Sequence, residues 1–203
     1  MFKLRKSSLS LAKTLPYLLI VAGLIGGVAS FALTYDKVHI LQNANYVPAC
    51  NINPVLSCGS VMKTQQASLL GVPNSVYGLI AFSVLLTFGV LLAGGAIVKR
   101  WVWLTAQLAA TIGVIFMHYL FFQAVFRIHS ICPWCFVVWM TTIPVFWYVT
   151  QYNLRHRNLR CPALLRPVSA FIQKYSTDLL VLWYLVILGI MLQRFWYYWS
   201  TLI

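Results

Sequence analysis

Acidic side chains are nearly missing from this chain: two Asp or Glu stand against 15 Lys or Arg in 203 residues. Charge of either sign is scarce at 8%, where a soluble domain carries about 25%, and 61% of the residues are hydrophobic. No soluble fold hides that much apolar surface, so the bilayer must be the solvent. No period-two alternation runs through the apolar segments, which excludes a barrel and leaves helices to satisfy the backbone in lipid. There is no internal repeat, no low-complexity tract and no folded basic surface of the kind that binds nucleic acid. The expected class is an all-α integral membrane protein, with residues 1–203 forming a single membrane domain.

Spanning the hydrocarbon takes about 20 apolar residues. Five stretches qualify, at about 16–35, 76–98, 101–126, 132–152 and 179–198. The first has the small residues Val28, Ala29 and Ser30 of a cleavable leader, but its apolar run is long for one. Arg194 interrupts the fifth and is followed by Phe195, Trp196, Tyr197, Tyr198 and Trp199, the pattern of a snorkelling cation in an aromatic belt.

Basic residues give the orientation. With the N-terminus in the cytoplasm, eleven of the 15 fall inside, including Lys99, Arg100, Arg155 and Arg157. Only Lys37, Lys63, Arg127 and Arg194 fall outside, which favours this topology over its inverse. A loop of about 36–75 and the short turn 127–131 are then expected on the outer face. The loop carries Asn43, Asn45, Pro48, Asn51, Asn53, Pro54 and Gly59, so it is expected to be irregular backbone. Asn74 or Ser75 is a candidate N-cap for the second span.

Four of the five cysteines lie on that outer face: Cys50 and Cys58 in the loop, and Cys132 and Cys135 around Pro133-Trp134. Cys161 falls in a cytoplasmic segment and is expected to be a bystander. A C-x-x-C at a helix start is suited to redox work, because the free N–H groups and the helix dipole stabilise a thiolate there. Pro133 is compatible with the first turn. A thiolate at the membrane boundary is reachable by a lipid-dissolved quinone, and a loop pair is reachable by a soluble protein thiol. Two structural disulfides and a four-cysteine zinc site are the competing readings of the same spacing. The four histidines do not make a haem site, since only His118 falls within a span; it is a satisfied polar group or a proton-handling one.

These residues resemble the vitamin K epoxide reductase family in its bacterial, disulfide-forming branch. The resemblance rests on Cys50-x7-Cys58, on Ser57-Cys58-Gly59-Ser60-Val61-Met62, on Gly71-Val72-Pro73-Asn74-Ser75-Val76-Tyr77-Gly78 and on Cys132-Pro133-Trp134-Cys135, over about 16–152. It implies a four-helix membrane bundle around a quinone, with a fifth transmembrane helix. By resemblance, Cys135 reacts with quinone, Cys132 is its partner, Cys58 shuttles to Cys132, and Cys50 meets the redox partner. Thr64 is similar to a family Ser/Thr near the disulfides, and Asn74 to an asparagine that hydrogen-bonds a quinone oxygen. Trp139 stands where animal members have tyrosine, as a quinone contact or pocket lining.

The resemblance implies a membrane thiol:quinone oxidoreductase that takes electrons from a reduced extracytoplasmic thioredoxin-like protein. The acceptor is a quinone of ubiquinone, menaquinone or vitamin K type, and the product is disulfide bonds. Its expected place is the inner (cytoplasmic) membrane, with the site on the periplasmic side. Some bacterial members carry a fused thioredoxin-like domain after the fifth helix; here that domain is expected to be absent and the partner a separate protein. Reduction of vitamin K epoxide itself, and a non-enzymatic membrane protein with structural disulfides, are the alternatives.

Overall fold

A computed structural model describes the chain apart from residues 1, 44, 70, 160–161, 163–165 and 201–203, and for 2–10 it describes the helical backbone alone. Cys161 lies outside the described residues. The long helices are α1 (Phe2–Gln42), α3 (Asn74–Ala93), α4 (Arg100–Phe122), α5 (Pro133–Arg155) and α7 (Ser176–Arg194). Short ones are α2 (Cys58–Met62), α6 (Arg166–Lys174) and α8 (Trp196–Trp199). Among the described residues, five helices are long and apolar enough to cross a membrane. The chain is an all-α, multi-pass membrane protein.

The loop does not begin at residue 36. Asp36 to Gln42 continue α1, which overturns their reading as irregular backbone. Hydropathy marks where side chains turn polar, whereas a helix ends where the backbone finds another partner. That happens at Asn43, whose N–H still bonds His39 O at 2.9 Å and whose side chain accepts from Asn45 N at 3.0 Å. The second span also starts differently. Pro73 holds the cap position of α3 and makes no side-chain cap bond, and Asn74 is already helical.

Helix α1 packs against α3 and α5, and α5 against α4. Small residues permit the α1–α3 approach. A Cβ on Gly26 would stand 2.4 Å from the Phe82 ring, and one on Gly89 would stand 2.9 Å from the backbone nitrogen of Ile20. Lipid offers no hydrophobic drive between helices, so close packing must supply the attraction. The segment weighed as a leader is therefore part of this packed unit.

Helix α7 joins through polar contacts. Trp183 Nε1–H donates to His118 Nε2 at 3.0 Å, and Trp147 Nε1–H to Ser176 Oγ at 2.9 Å. His118 Nδ1 bonds Val114 O at 2.8 Å, so both ring nitrogens are committed and the residue docks the fifth helix. At the other end of the bundle, the buried Asn153 amide donates to Gln107 Oε1 at 3.1 Å, and Gln107 Nε2 donates to Thr150 Oγ1 at 2.9 Å.

Candidate redox site

Two short backbone links bring the loop to the mouth of α5. Helix α4 runs into a π-helical turn (Gln123–Ile128), and His129 then takes a left-handed conformation with φ 58° that reverses the chain. The following residue pairs with the loop: Ile131 N–H donates to Val55 O at 2.7 Å, and Ser57 N–H to Ile131 O at 3.0 Å. Cys58 and Cys132 each lie one residue beyond this rung. Their sulfurs come within 3.1 Å of each other, and both are buried to 1% exposure or less.

Cys50 and Cys58 are joined in a disulfide with Cα atoms 5.7 Å apart. Cys58 opens α2, which Ser57 caps by accepting the Ser60 N–H at 3.2 Å. Asn51 braces the same turn, since its Oδ1 accepts the Gly59 N–H at 2.8 Å and the Ser57 hydroxyl at 3.1 Å. Lys37, from the end of α1, donates to Met62 O at the other end of α2. The short helix is thus clamped at both ends, and Cys58 is held in place.

Cys132 and Cys135 are free thiols. Cys132 is the N-cap of α5 and Pro133 its first residue. The Cys132 sulfur accepts the Cys135 N–H at 3.5 Å. Its pKa lies below the ordinary cysteine value, first because of a hydrogen bond with the Cys135 side chain, with the Cys135 and Trp134 backbone N–H groups adding to it. Burial and the charge of Asp36 push the other way without prevailing.

Behind the thiols lies an apolar cavity of about 730 Å³ lined by α1, α3, α4 and α5. Cavities of about 300–1,000 Å³ hold drug-sized ligands. Cys132 and Cys135 border it, as do Thr64, Asn74 and Trp139. The hydroxyl of Thr64 donates to Val61 O at 2.7 Å, so toward any further partner it can only accept. Asn74 donates one amide N–H to Gln66 O at 2.7 Å and accepts the Leu69 N–H at 3.3 Å, holding the 3-10 turn Gln65–Ser68 over the cavity. Among the described residues, no acceptor partners the second amide N–H of Asn74. Trp139 is buried and set edge-on against Phe121 and Phe136.

Three further residues of the site escaped the sequence reading: Asp36, Tyr46 and Lys37. Asp36 is 8% exposed. Its Oδ1 accepts the Tyr46 hydroxyl at 2.9 Å, and its Oδ2 lies 3.7 Å from the Cys50 sulfur. The Tyr46 hydroxyl is held above the ordinary phenol range, first by this bond to the carboxylate. Among the described residues, Lys37 is the only charged side chain bordering the cavity. The available signal was scarcity: a chain with two acidic residues places one at the end of its first span.

Chemically, this is a disulfide in van der Waals contact with a thiol whose neighbour borders an apolar cavity. Cys50 and Cys58 are bonded here, whereas Cys132 and Cys135 are not. Among the described residues, no group of three or more His, Cys, Asp or Glu is placed to hold a metal ion. A family model described as "Vitamin K epoxide reductase family" matches residues 17–150, which includes all four of these cysteines. No curated protein matches the chain.

Proposed function

The chain belongs to the vitamin K epoxide reductase family, whose members are membrane oxidoreductases of disulfides and quinones, and from that premise we propose a thiol:quinone oxidoreductase that supports disulfide formation outside the cytoplasm. Electrons enter at Cys50 from a reduced thioredoxin-like protein and leave from Cys135. The observation that carries this reading is the 3.1 Å separation of the Cys58 and Cys132 sulfurs, with Cys135 on the cavity wall.

The exchanges follow from thiolate attack through mixed disulfides. A partner thiolate attacks Cys50; the Cys50–Cys58 bond breaks and Cys58 leaves as thiolate. The partner's second thiol closes its own disulfide and releases Cys50. Cys58 attacks Cys132 of an oxidised Cys132–Cys135 pair, and Cys135 leaves as thiolate. Cys50 then attacks Cys58, the loop disulfide re-forms, and Cys132 is released. The protein now holds an oxidised loop and two free thiols at α5, which is the cysteine state of this structure.

A bound quinone supplies a two-electron acceptor for that thiol pair. The cavity fits it: apolar walls for the ring and tail, with Asn74 and Thr64 as polar groups at the thiol end. Trp139 bounds the ring space, and its indole can donate but not accept. Epoxide reduction is a finer distinction, decided by offering epoxide and quinone side by side.

The test is anaerobic mixing of purified protein, a reduced thioredoxin-like substrate and a quinone. Quinol is expected from the wild type and none from Cys135→Ala. Full quinol formation by Cys135→Ala removes the mechanism.

A further inference from the structure

Asp36 is a buried carboxylate with one satisfied oxygen and one oxygen waiting on the redox state of its neighbour. Oδ1 accepts from Tyr46. Among the described residues, the group within hydrogen-bonding reach of Oδ2 is the Cys50 sulfur at 3.7 Å. In the disulfide that sulfur carries no proton, so it cannot donate. After reduction Cys50 is a thiol, and its S–H has the Asp36 carboxylate on α1 within reach. A buried carboxylate oxygen without a donor is costly, and one given a donor is not. The reduced loop therefore completes a hydrogen bond that the oxidised loop lacks.

We propose that Asp36 sets the redox poise of the loop pair by accepting the Cys50 thiol hydrogen bond, which makes Cys50–Cys58 a stronger electron acceptor from the external dithiol. The balance is simple. Two partner thiols give two electrons and two protons, the partner closes a disulfide, and Cys50 and Cys58 become thiols. The Cys50 proton then bridges to Oδ2. This rests on the loop pair being the entry point argued above.

Other charged and titratable groups near Asp36 are already occupied. Tyr46, from the loop, holds Oδ1. On α1, Lys37 is aimed at Met62 O, and His39 packs between the Tyr35 and Tyr46 rings. From α2 comes Cys58, bonded to Cys50, and from the α5 mouth Cys132, which feels the carboxylate only through its charge.

The sign depends on pH. While Cys50 is a thiol and Asp36 a carboxylate, their hydrogen bond favours reduction. Once Cys50 ionises, two negative charges face each other and the effect reverses. A carboxylate that acted by repulsion alone would leave the reduced loop unaffected while Cys50 is a thiol and disfavour it only once Cys50 ionises.

The experiment isolates the loop couple in the full-length chain carrying Cys132→Ala and Cys135→Ala. The protein is equilibrated in dithiothreitol redox buffers near neutral pH, and loop thiols are counted by mass after acid quench and alkylation. Adding Asp36→Asn is expected to lower the reduced-to-oxidised ratio about tenfold, which is ~30 mV for a two-electron couple. Asp36→Glu is expected to recover most of it, and the gap is expected to close and then change sign as pH rises through the thiol range. A ratio unchanged or raised in Asp36→Asn overturns the proposal. If Asp36→Asn does not fold, Tyr46→Phe decides instead: it leaves the carboxylate more dependent on Cys50, so the reduced fraction must rise, and a fall overturns the idea. A wild-type loop that never titrates reversibly would instead sink the relay itself.

Discussion

The four cysteines differ because their neighbours differ. Cys50 faces a carboxylate, whereas Cys132 sits where backbone N–H groups converge at a helix mouth. In the proposed relay, a lowered pKa makes Cys132 the better leaving group when Cys50 attacks the Cys58–Cys132 bond, which biases that exchange toward closing the loop disulfide. Because the value is lowered, the thiolate appears at lower pH than in an unperturbed cysteine. With the loop disulfide intact, the ultraviolet thiolate band of Cys132 is expected to titrate below the ordinary cysteine value. Cys135→Ala removes the first cause of the lowering, so its midpoint must move upward. A midpoint that stays put assigns the effect to the backbone donors of the first turn. Asp36→Asn must move the midpoint down, since the carboxylate charge opposes the thiolate.

At the scale of the elements, proline inside a membrane helix has a visible consequence. Pro144 interrupts α5 and cannot donate to Met140 O, four residues back. In lipid no water satisfies that carbonyl. The Tyr184 hydroxyl on α7 donates to it at 2.9 Å, so the fifth helix fills a vacancy that proline creates. Tyr184→Phe is expected to cost about 1 kcal/mol in detergent unfolding. In a Pro144→Ala background the helix supplies its own N–H, and the same substitution should then cost almost nothing. Equal costs in the two backgrounds would mean that the hydroxyl serves something else. The spans themselves were legible in the sequence, because apolar length is a direct statement about lipid. This contact was not, because it joins single atoms 44 residues apart. The extension of α1 through Gln42 was hidden for another reason: polar residues end a hydrophobic run without ending a helix.

At the scale of the whole molecule, the cysteines announce themselves by spacing, but their meeting depends on a rung one residue long. Leu56 and Ile131 form an isolated parallel bridge, too short for any alternation pattern to reveal. Ser130 reinforces it, its hydroxyl reaching Val55 O at 3.2 Å and Ser57 O at 3.3 Å. The bridge has a requirement for topology: the loop after α1 and the turn after α4 must share one face of the bilayer. Two crossings, α3 and α4, return the chain to one face in either orientation, and the bias of the basic residues says which face that is. Lys99 and Arg100 then lie with the N-terminus, on the face opposite the cysteines. Two exposed positions read this out in a cysteine-free chain, Val47 beside the redox loop and Ile97 in the α3–α4 turn, at 69% and 99% exposure. A membrane-impermeant maleimide applied to intact cells is expected to label Val47→Cys and to leave Ile97→Cys untouched until the membrane is opened. Labelling of Ile97→Cys in sealed cells would put the thiols on the reducing side of the membrane. There the cytoplasmic thiol pool would hold all four cysteines reduced, and an outward supply of disulfides would be chemically impossible.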